Sequence, residues 1–263
     1  MPVPLDSSKY ESSPFFNPAD FVGYIAGLGR LGPAPVPEAV VLSYQASLFE
    51  HASSAHASTP AEGYFGKWLR YLDGSDGRVA IAGHFGVGAP AAAVMLEELI
   101  AFGARRFVSV GTAGSLRLDL PPGSLVVCDS AFRDEGTSYH YLPGGAPVYP
   151  SEELTAALRA ALGKRGLTHR VGPSWTTDAI YRETAEEVVK FRDEGALVVE
   201  MEASALFAVA RFRGVRIASC FSVSDTLAEL AWRPEFHAET TEEGLELLFA
   251  AALEALGADQ PGV

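Results

Sequence analysis

Residues 197–207 constrain the fold of this chain more than any other segment. They begin with an apolar, β-branched run and pass directly into an alanine-rich amphipathic stretch, which predicts a buried strand followed by a helix. Two acids flank a methionine where the strand meets the helix, at Glu200, Met201 and Glu202. Because open α/β sheets usually build ligand sites between a strand end and a helix N-terminus, this junction is a candidate binding site.

Two explanations account for the acids at this junction. Acids in a first helical turn complement the helix dipole, and for a lone Glu that structural explanation is favoured. Two carboxylates with Met201 between them can also hydrogen-bond a diol while the thioether packs beneath an apolar ring face. A sugar has both features, so the junction favours a sugar site.

The order of the elements favours one α/β domain over residues 38–263. The chain has 263 residues, of which 48% are hydrophobic, so it can bury a sizeable core. A strand, a helix and a strand over residues 78–110 form a βαβ unit, which requires parallel pairing. We expect a mixed central β-sheet flanked by helices. Strands are predicted at 39–44, 78–84, 106–110, 124–132, 170–176, 197–199 and 215–223, and helices at 89–102, 151–166, 184–194, 203–214 and 240–256.

Residues 1–37 form a predicted N-terminal extension. They are rich in Pro, Ser and Gly, yet they include aromatic rings at Tyr10, Phe15, Phe16, Phe21 and Tyr24. Because a flexible tail needs no such rings, we expect part of the extension to pack on the domain or on a neighbouring subunit. Composition also predicts a mobile surface loop over 51–61 and a loop over the site or at an interface over 133–150.

Composition excludes several classes of partner. The formal net charge of −13 leaves no basic stripe for a nucleic acid, although a small phosphate needs only a few local donors. No apolar run is long enough for a membrane span, and the N-terminus shows no secretory pattern. Cys128 and Cys220 lie in apolar runs, which is typical of buried free thiols in a reduced compartment. We therefore expect a soluble cytoplasmic protein.

The histidines do not indicate a metal site. His84 follows a predicted strand and can reach a ligand there, but a structural imidazole explains it equally well. The six histidines show no spacing typical of metal ligands, so we expect no metal. They are His51, His56, His84, His140, His169 and His237.

Three strand ends carry residues that suit a ligand: 111–114, 200–202 and 224–225. If their strands are parallel, these ends lie at one edge of the sheet and can meet in one cleft. The glycine-rich segment offers backbone N–H groups to an anion, although it is also typical of a tight strand exit. Asp225 is either a buried acid with a raised pKa or a helix N-cap beside Thr226, and taken singly the cap is favoured.

Together these segments resemble the nucleoside phosphorylase family, which includes hexameric purine nucleoside phosphorylases, uridine phosphorylases and adenosylhomocysteine nucleosidases. The matching runs are Val-Ser-Val-Gly-Thr-Ala-Gly at 108–114, Val-Glu-Met-Glu-Ala at 199–203 and Val-Ser-Asp at 223–225. No run is specific alone, but their order, spacing and predicted context are specific together. The resemblance extends from about residue 78 to the C-terminus.

The resemblance implies cleavage of a nucleoside N-glycosidic bond through an oxocarbenium-like sugar, without a cofactor and with inorganic phosphate as co-substrate. Asp225 corresponds to the acid that protonates a departing purine at N7, since a neutral base leaves more easily than its anion. The other implied positions are Glu200, Met201 and Glu202 at the sugar, Ala113, Gly114, Ile180 and Tyr181 at the base, and Gly111 and Thr112 at the phosphate. Uridine phosphorylases lack this acid and carry a Gln and an Arg that residues 181–186 do not supply in register, so a purine is favoured.

The phosphate site departs from the family pattern. Phosphorylases of this family follow their first strand with a Gly-Asp-Pro-type turn and an Arg, where this chain has Ser43, Tyr44 and Gln45. They place a second Arg where this chain has Ser109. Each lost guanidinium removes charge-assisted bonds worth roughly 1.5–3 kcal/mol apiece. The candidate substitutes, from this chain or a neighbouring subunit, are Lys67, Arg70, Arg117 and Arg133.

Three functions follow from this comparison. The first is phosphorolysis of a purine nucleoside at an atypical phosphate site. The second is hydrolysis by a nucleosidase, although the Gly-Ala-Met-Glu-type turn of that branch is missing and Glu50 is the nearest acid. The third is nucleoside binding without turnover, against which Asp225 argues because a binder needs no N7 acid. Relatives form dimers, trimers or hexamers, so the resemblance also implies a homo-oligomer.

Overall fold

A computed structural model describes residues 6–32, 36–73, 75 and 77–257 of the chain. Its helices are α1 (Pro18–Gly27), α2 (Ala46–Ala55), α3 (Ala89–Phe102), α4 (Glu152–Lys164), α5 (Ala185–Asp193), α6 (Ala203–Arg213) and α7 (Glu239–Ala255). Its strands are β1 (Ala39–Ser43), β2 (Ser58–Pro60), β3 (Leu69–Leu72), β4 (Val79–Ala82), β5 (Arg106–Ser115), β6 (Leu125–Asp134), β7 (His169–Thr177), β8 (Val198–Glu200), β9 (Arg216–Thr226) and β10 (Arg233–Pro234). Short 3-10 helices lie at Ser7–Tyr10, Gly63–Lys67, Ser138–His140 and Ile180–Arg182.

The strands form one mixed sheet in the order β10-β9-β6-β7-β8-β5-β1-β4-β3-β2. Strand β9 also pairs with β5, so β5, β9, β6, β7 and β8 close into a ring, from which β1, β4, β3 and β2 extend. Strands β1 and β9 both run parallel to β5, and β4 runs parallel to β1. Strand β8 runs antiparallel to β5. The predicted mixed sheet flanked by helices is confirmed, and its closure was not predicted.

Helices cover both faces of the sheet and bury two large apolar clusters. Helices α3 and α6 pack together over one cluster, which includes Leu96 and Phe207. Helices α2, α4 and α7 cover the other, which includes Phe249. Every residue of β1 is buried, as expected for a strand with helices on both faces.

The glycine-rich segment and the Ser-Asp segment lie inside long strands. The strand exit predicted at 111–114 and the helix cap predicted at 224–226 were both wrong, because β5 continues to Ser115 and β9 to Thr226. The two strands change register here, pairing Ala113 with Val223 but Gly114 with Asp225. The extra residue is Ser224, a β-bulge that sets Asp225 opposite a glycine.

The predicted loop over 51–61 was also wrong in its first half. Helix α2 runs to Ala55 and buries Leu48, Phe49 and Ala52 against the core, so the Ser- and His-bearing residues lie on its outer face. The helix was missed because residues 51–61 are mostly small or polar, and the apolar stripe of α2 begins before them, at Leu48 and Phe49.

The N-terminal extension contacts the domain. Helix α1 begins with a capping box between Asn17 and Asp20 and packs against α3. The Phe21 ring lies 5.5 Å from the Tyr64 ring, and the Tyr10 hydroxyl donates to the Tyr139 carbonyl at 2.7 Å. Within the residues that the structure describes, no helix is long and apolar enough to cross a membrane.

Candidate active site

A cavity of about 480 Å³ lies where the ends of β5, β8 and β9 meet. This volume lies within the range of small-molecule sites. The predicted site residues that line it are Thr112, Ala113, Gly114, Ile180, Tyr181, Glu200, Met201, Glu202 and Asp225. Of these, Tyr181 is 94% exposed and Ile180 is 44% exposed, so they form the rim. Gly111 does not line the cavity, and the Tyr44 ring lies over its Cα.

The Glu200 carboxylate is fully engaged by the protein. Its Oε1 accepts from the Ser174 and Thr176 hydroxyls, and its Oε2 accepts from the backbone N–H groups of Glu202 and Ala203, each at 2.7 Å. The two N–H groups belong to the start of α6, where a carboxylate satisfies otherwise unpaired donors. Glu200 therefore holds together the junction between β8 and α6. Its bond to the Glu202 N–H also fixes the backbone from which the Glu202 side chain projects.

Glu202 is the residue that the sequence predicts to bind a sugar. It is buried, and its Oε1 accepts from the Gly88 N–H at 2.6 Å. Gly88 has φ +92°, which favours glycine at this contact. Burial, and then the nearby charge of Glu200, raise the pKa of Glu202 to about 8. The carboxyl faces a cavity in which it can bind hydroxyl groups.

Asp225 is held by two neutral donors. The Ser224 hydroxyl donates to Oδ1 at 2.8 Å, and the Trp232 indole N–H donates to Oδ2 at 3.0 Å. Burial raises the pKa of Asp225, while these two donors lower it. A buried carboxyl with a raised pKa is suited to act as a general acid. Trp232 was missed in the sequence because it reaches Asp225 only through the short hairpin that β10 forms with β9.

Glu183 is a further acid that sequence reasoning missed. It lines the cavity and is half-buried. Burial, and then the charges of Asp225 and Glu187, raise its pKa to about 7. Across the described ranges, no hydrogen bond or ion pair engages its carboxylate. The only signal for Glu183 in the sequence was its position two residues after Tyr181, which the resemblance places at the base.

Neutral groups occupy the region predicted to hold phosphate. The Gln45 Nε2 donates to Thr112 Oγ1 at 2.9 Å, and the Tyr44 hydroxyl lies 3.1 Å from Ser109 Oγ. The Gln45 Oε1 is buried and has no hydrogen-bond partner in the part of the chain that the structure covers. Among the described lining residues there is no Lys, Arg or His, whereas four are acids.

The predicted substitutes for the missing arginines lie elsewhere. Arg70 donates to Ser58, Arg117 pairs with Asp119, and Arg133 donates to Ser138 and to backbone carbonyls, so none of these side chains lines the cavity. Lys67 and Glu50 do not line it either. His84 packs its ring on Phe49 at 4.7 Å. No cluster of potential metal ligands occurs among the residues with a described position.

Residues 37–257 match the family model of the phosphorylase superfamily, which is most of the chain. The chain is a member of the phosphorylase superfamily. It is 36% identical over 142 residues to a guanosine phosphorylase of Halorubrum lacusprofundi, covering 54% of this chain and 59% of the relative. It thus spans little more than half the length of that curated relative. It is 33% identical over 181 residues to a DeoD-type purine nucleoside phosphorylase of Bacillus cereus, covering 67% of this chain and 76% of the relative.

Solved structures of other proteins share the superfamily fold. A uridine phosphorylase from Vibrio fischeri matches with a TM-score of 0.74 at 24% identity, over 90% of this chain and all of that chain. An AMP nucleosidase from Bacteroides thetaiotaomicron matches with a TM-score of 0.71 at 20% identity, over 89% of this chain and 96% of that one. At these identities the matches establish the fold.

The raised pKa of Glu202 predicts that this superfamily member loses stability as pH rises. The pKa of Glu202 is about 8 in the folded protein and has the ordinary value of 4.5 in the unfolded chain, so the folded state holds this proton more tightly. The resulting contribution to the free energy of unfolding is complete below pH 4.5 and is lost as pH rises through about 8. Glu202→Gln stays neutral and can still accept from the Gly88 N–H. We expect thermal unfolding to show this variant more stable than the wild type at pH 8.5 and equal to it near pH 4.5. A difference that is the same at both pH values would contradict this linkage.

Proposed function

We propose that this protein cleaves the N-glycosidic bond of a purine nucleoside and transfers the pentose to phosphate. The observation that carries the proposal is the convergence of Glu202 and Asp225, from separate segments, on one cavity of suitable size. One carboxyl suits the sugar hydroxyls and the other suits the leaving base. A protein that only binds nucleosides has no need of the second.

The proposed chemistry follows from these positions. Glu202 binds the 2′- and 3′-hydroxyls, and Met201 packs beneath the sugar. Asp225 donates its proton to N7 as the C1′–N9 bond breaks, so that the bonding electrons leave on a neutral base. The sugar becomes oxocarbenium-like, and Asp225, once it has given up its proton, is a carboxylate that favours this positive charge. Ala113, Gly114 and the rim residues Ile180 and Tyr181 border the base.

Glu183 supports a guanine base in particular. An ionised carboxylate offers two acceptors, which match the adjacent N1–H and 2-amino donors of guanine bidentately. The same carboxylate meets the N1 lone pair of adenine, which disfavours adenosine. The relative from Halorubrum lacusprofundi is a guanosine phosphorylase, which agrees with this assignment.

Phosphate is the proposed nucleophile because both curated relatives described above are phosphorylases. Thr112 is the proposed anion-binding group, whereas Gly111, which the sequence also suggested, does not line the cavity. Water is the second candidate, because the described lining contains four acids and no basic side chain to oppose the charge of a phosphate dianion. The buried Gln45 Oε1 can accept either from water or from the P–OH group of hydrogen phosphate, so it does not distinguish the two nucleophiles.

One assay distinguishes these reactions. The protein is incubated with guanosine, inosine, adenosine and uridine, with and without phosphate, and the sugar product is identified. We expect guanine release that requires phosphate and yields ribose 1-phosphate. Free ribose formed at equal rates with and without phosphate would establish hydrolysis instead. Saturable binding without any base release would contradict both enzymatic proposals.

We also propose that the protein works as a homo-oligomer in the cytoplasm. A phosphate site without a cation of its own is incomplete, and a neighbouring copy is a source of a guanidinium group. The N-terminal residues 1–37 are the proposed extension that packs on the domain or on that neighbour.

Cys128 and Cys220 are buried free thiols, which suits the proposed location in a reduced compartment such as the cytoplasm.

A further inference from the structure

Trp232 is an exposed aromatic residue tied to a buried acid. It lies on the hairpin in which β10 pairs with β9, with Arg233 opposite Thr226 and Pro234 opposite Asp225. The side chain is 64% exposed, and its ring lies 6.4 Å from that of Phe236. Its indole N–H donates to Asp225 Oδ2 at 3.0 Å. Both aromatic residues line the cavity.

We propose that Trp232 is a positioning residue for Asp225, whose indole N–H fixes Oδ2 and directs the carboxyl proton at the departing base. This inference rests on the proposed function, because it concerns the step in which the base leaves. It adds a residue outside the three segments that define the cavity in the sequence.

The hydrogen bonds around Asp225 leave one orientation for the proton. Oδ1 accepts from the Ser224 hydroxyl, so a proton on Oδ2 is directed away from that side. The indole N–H then occupies a lone pair of Oδ2, and the O–H bond is left to face the cavity. A Cβ at Gly114 would lie only 3.1 Å from Oδ2, so glycine leaves room for this oxygen.

The same N–H stabilises the product of proton transfer. The O–H bond breaks, the N7–H bond forms, and the electron pair stays on Oδ2 as a carboxylate. Hydrogen bonds strengthen when the acceptor becomes charged, so both Trp232 and Ser224 favour the transfer. No cation among the described lining residues can share this task, and the other acids that line the cavity are Glu183, Glu200 and Glu202. On the hairpin itself, Glu229 and Arg233 pair with each other.

The test uses Trp232→Phe, which keeps a ring over the cavity and removes the donor. Loss of a donor to the charged form raises the pKa of Asp225, so the alkaline limb of the kcat–pH profile for guanosine should move up by about one pH unit. We expect kcat to fall about ten-fold with KM within about three-fold. The matched control is Phe236→Leu, which alters the cavity lining beside Trp232 and removes no hydrogen-bond donor. This variant should change KM and leave the alkaline limb of the kcat–pH profile where it is in the wild type.

An unmoved alkaline limb in Trp232→Phe, or an equal displacement in Phe236→Leu, overturns the proposal. A wild-type protein that cleaves no nucleoside is a failure of the proposed function and needs a separate measurement. In that case ¹³C NMR of carboxyl-labelled aspartate, assigned with Asp225→Asn, reports the pKa of Asp225 directly. A higher pKa in Trp232→Phe supports the positioning role, and an equal pKa overturns it.

Discussion

Asp225→Asn is expected to lower kcat for guanosine by about 10²–10⁴-fold, the usual contribution of a positioned general acid. Asparagine keeps the shape of the side chain and can still accept the Trp232 N–H, but it has no proton to transfer to N7. The base must then leave as an anion, so the substitution slows the cleavage of the N-glycosidic bond. Single-turnover release of guanine measures this step apart from product release.

7-Methylguanosine is the matched control for the Asp225 variant. Its base already carries a positive charge and needs no proton to leave, so Asp225→Asn should cleave it at nearly the wild-type rate. A 7-deazapurine nucleoside accepts no proton at that position and should resist the wild type itself. An equal loss on guanosine and 7-methylguanosine would show that the substitution damages the site and that Asp225 is not the acid.

The sequence predicted the elements of this fold better than their connections. Each strand of the closed ring carries a periodic or continuous apolar pattern, which is a local property. Closure depends on the β5–β9 pairing, which joins residues more than 100 positions apart, and on a register change of one residue at Gly114. A bulge of this kind has no sequence signature beyond a small residue, and its glycine was interpreted as part of a strand exit.

The candidate site was predicted where chemistry lies in contiguous motifs and missed where it comes from pairing. Glu202 and Asp225 were identified together because their motifs resemble a family. Trp232 reaches Asp225 only because the two-residue strand β10 folds back beside β9, and a strand so short has no periodicity. Glu183 stands in a polar stretch next to the capping box of Thr184 and Glu187, where an acid is expected for local reasons.

Glu200 is a predicted site residue whose hydrogen bonds within the protein the sequence did not indicate. Beside Glu202 it suggested a second acceptor for the sugar, but its four hydrogen bonds within the protein hold β7 and the start of α6 together. Both acids line the cavity, but Glu202 accepts only from the Gly88 N–H among the described residues, and the fold alone shows this difference. The bonds of Glu200 to the first N–H groups of α6 agree with the helix-dipole explanation, and its role at a sugar stays a prediction.

Glu183→Gln is expected to change the ratio of kcat/KM for guanosine to that for adenosine by about 10²-fold in favour of adenosine. The change removes one of the two acceptors that face the N1–H and 2-amino donors of guanine and adds a donor that can bond the N1 acceptor of adenine, and a bidentate pair discriminates by about 1–3 kcal/mol. In the wild type, this ratio should rise between pH 6 and 8, as Glu183 ionises with its pKa of about 7, and the glutamine variant should show no such rise. Inosine, which lacks the 2-amino donor, should fall between the two nucleosides. Equal ratios in the two proteins at pH 8, with activity retained, would remove Glu183 from recognition of the base and leave the roles of Asp225 and Glu202 unaffected.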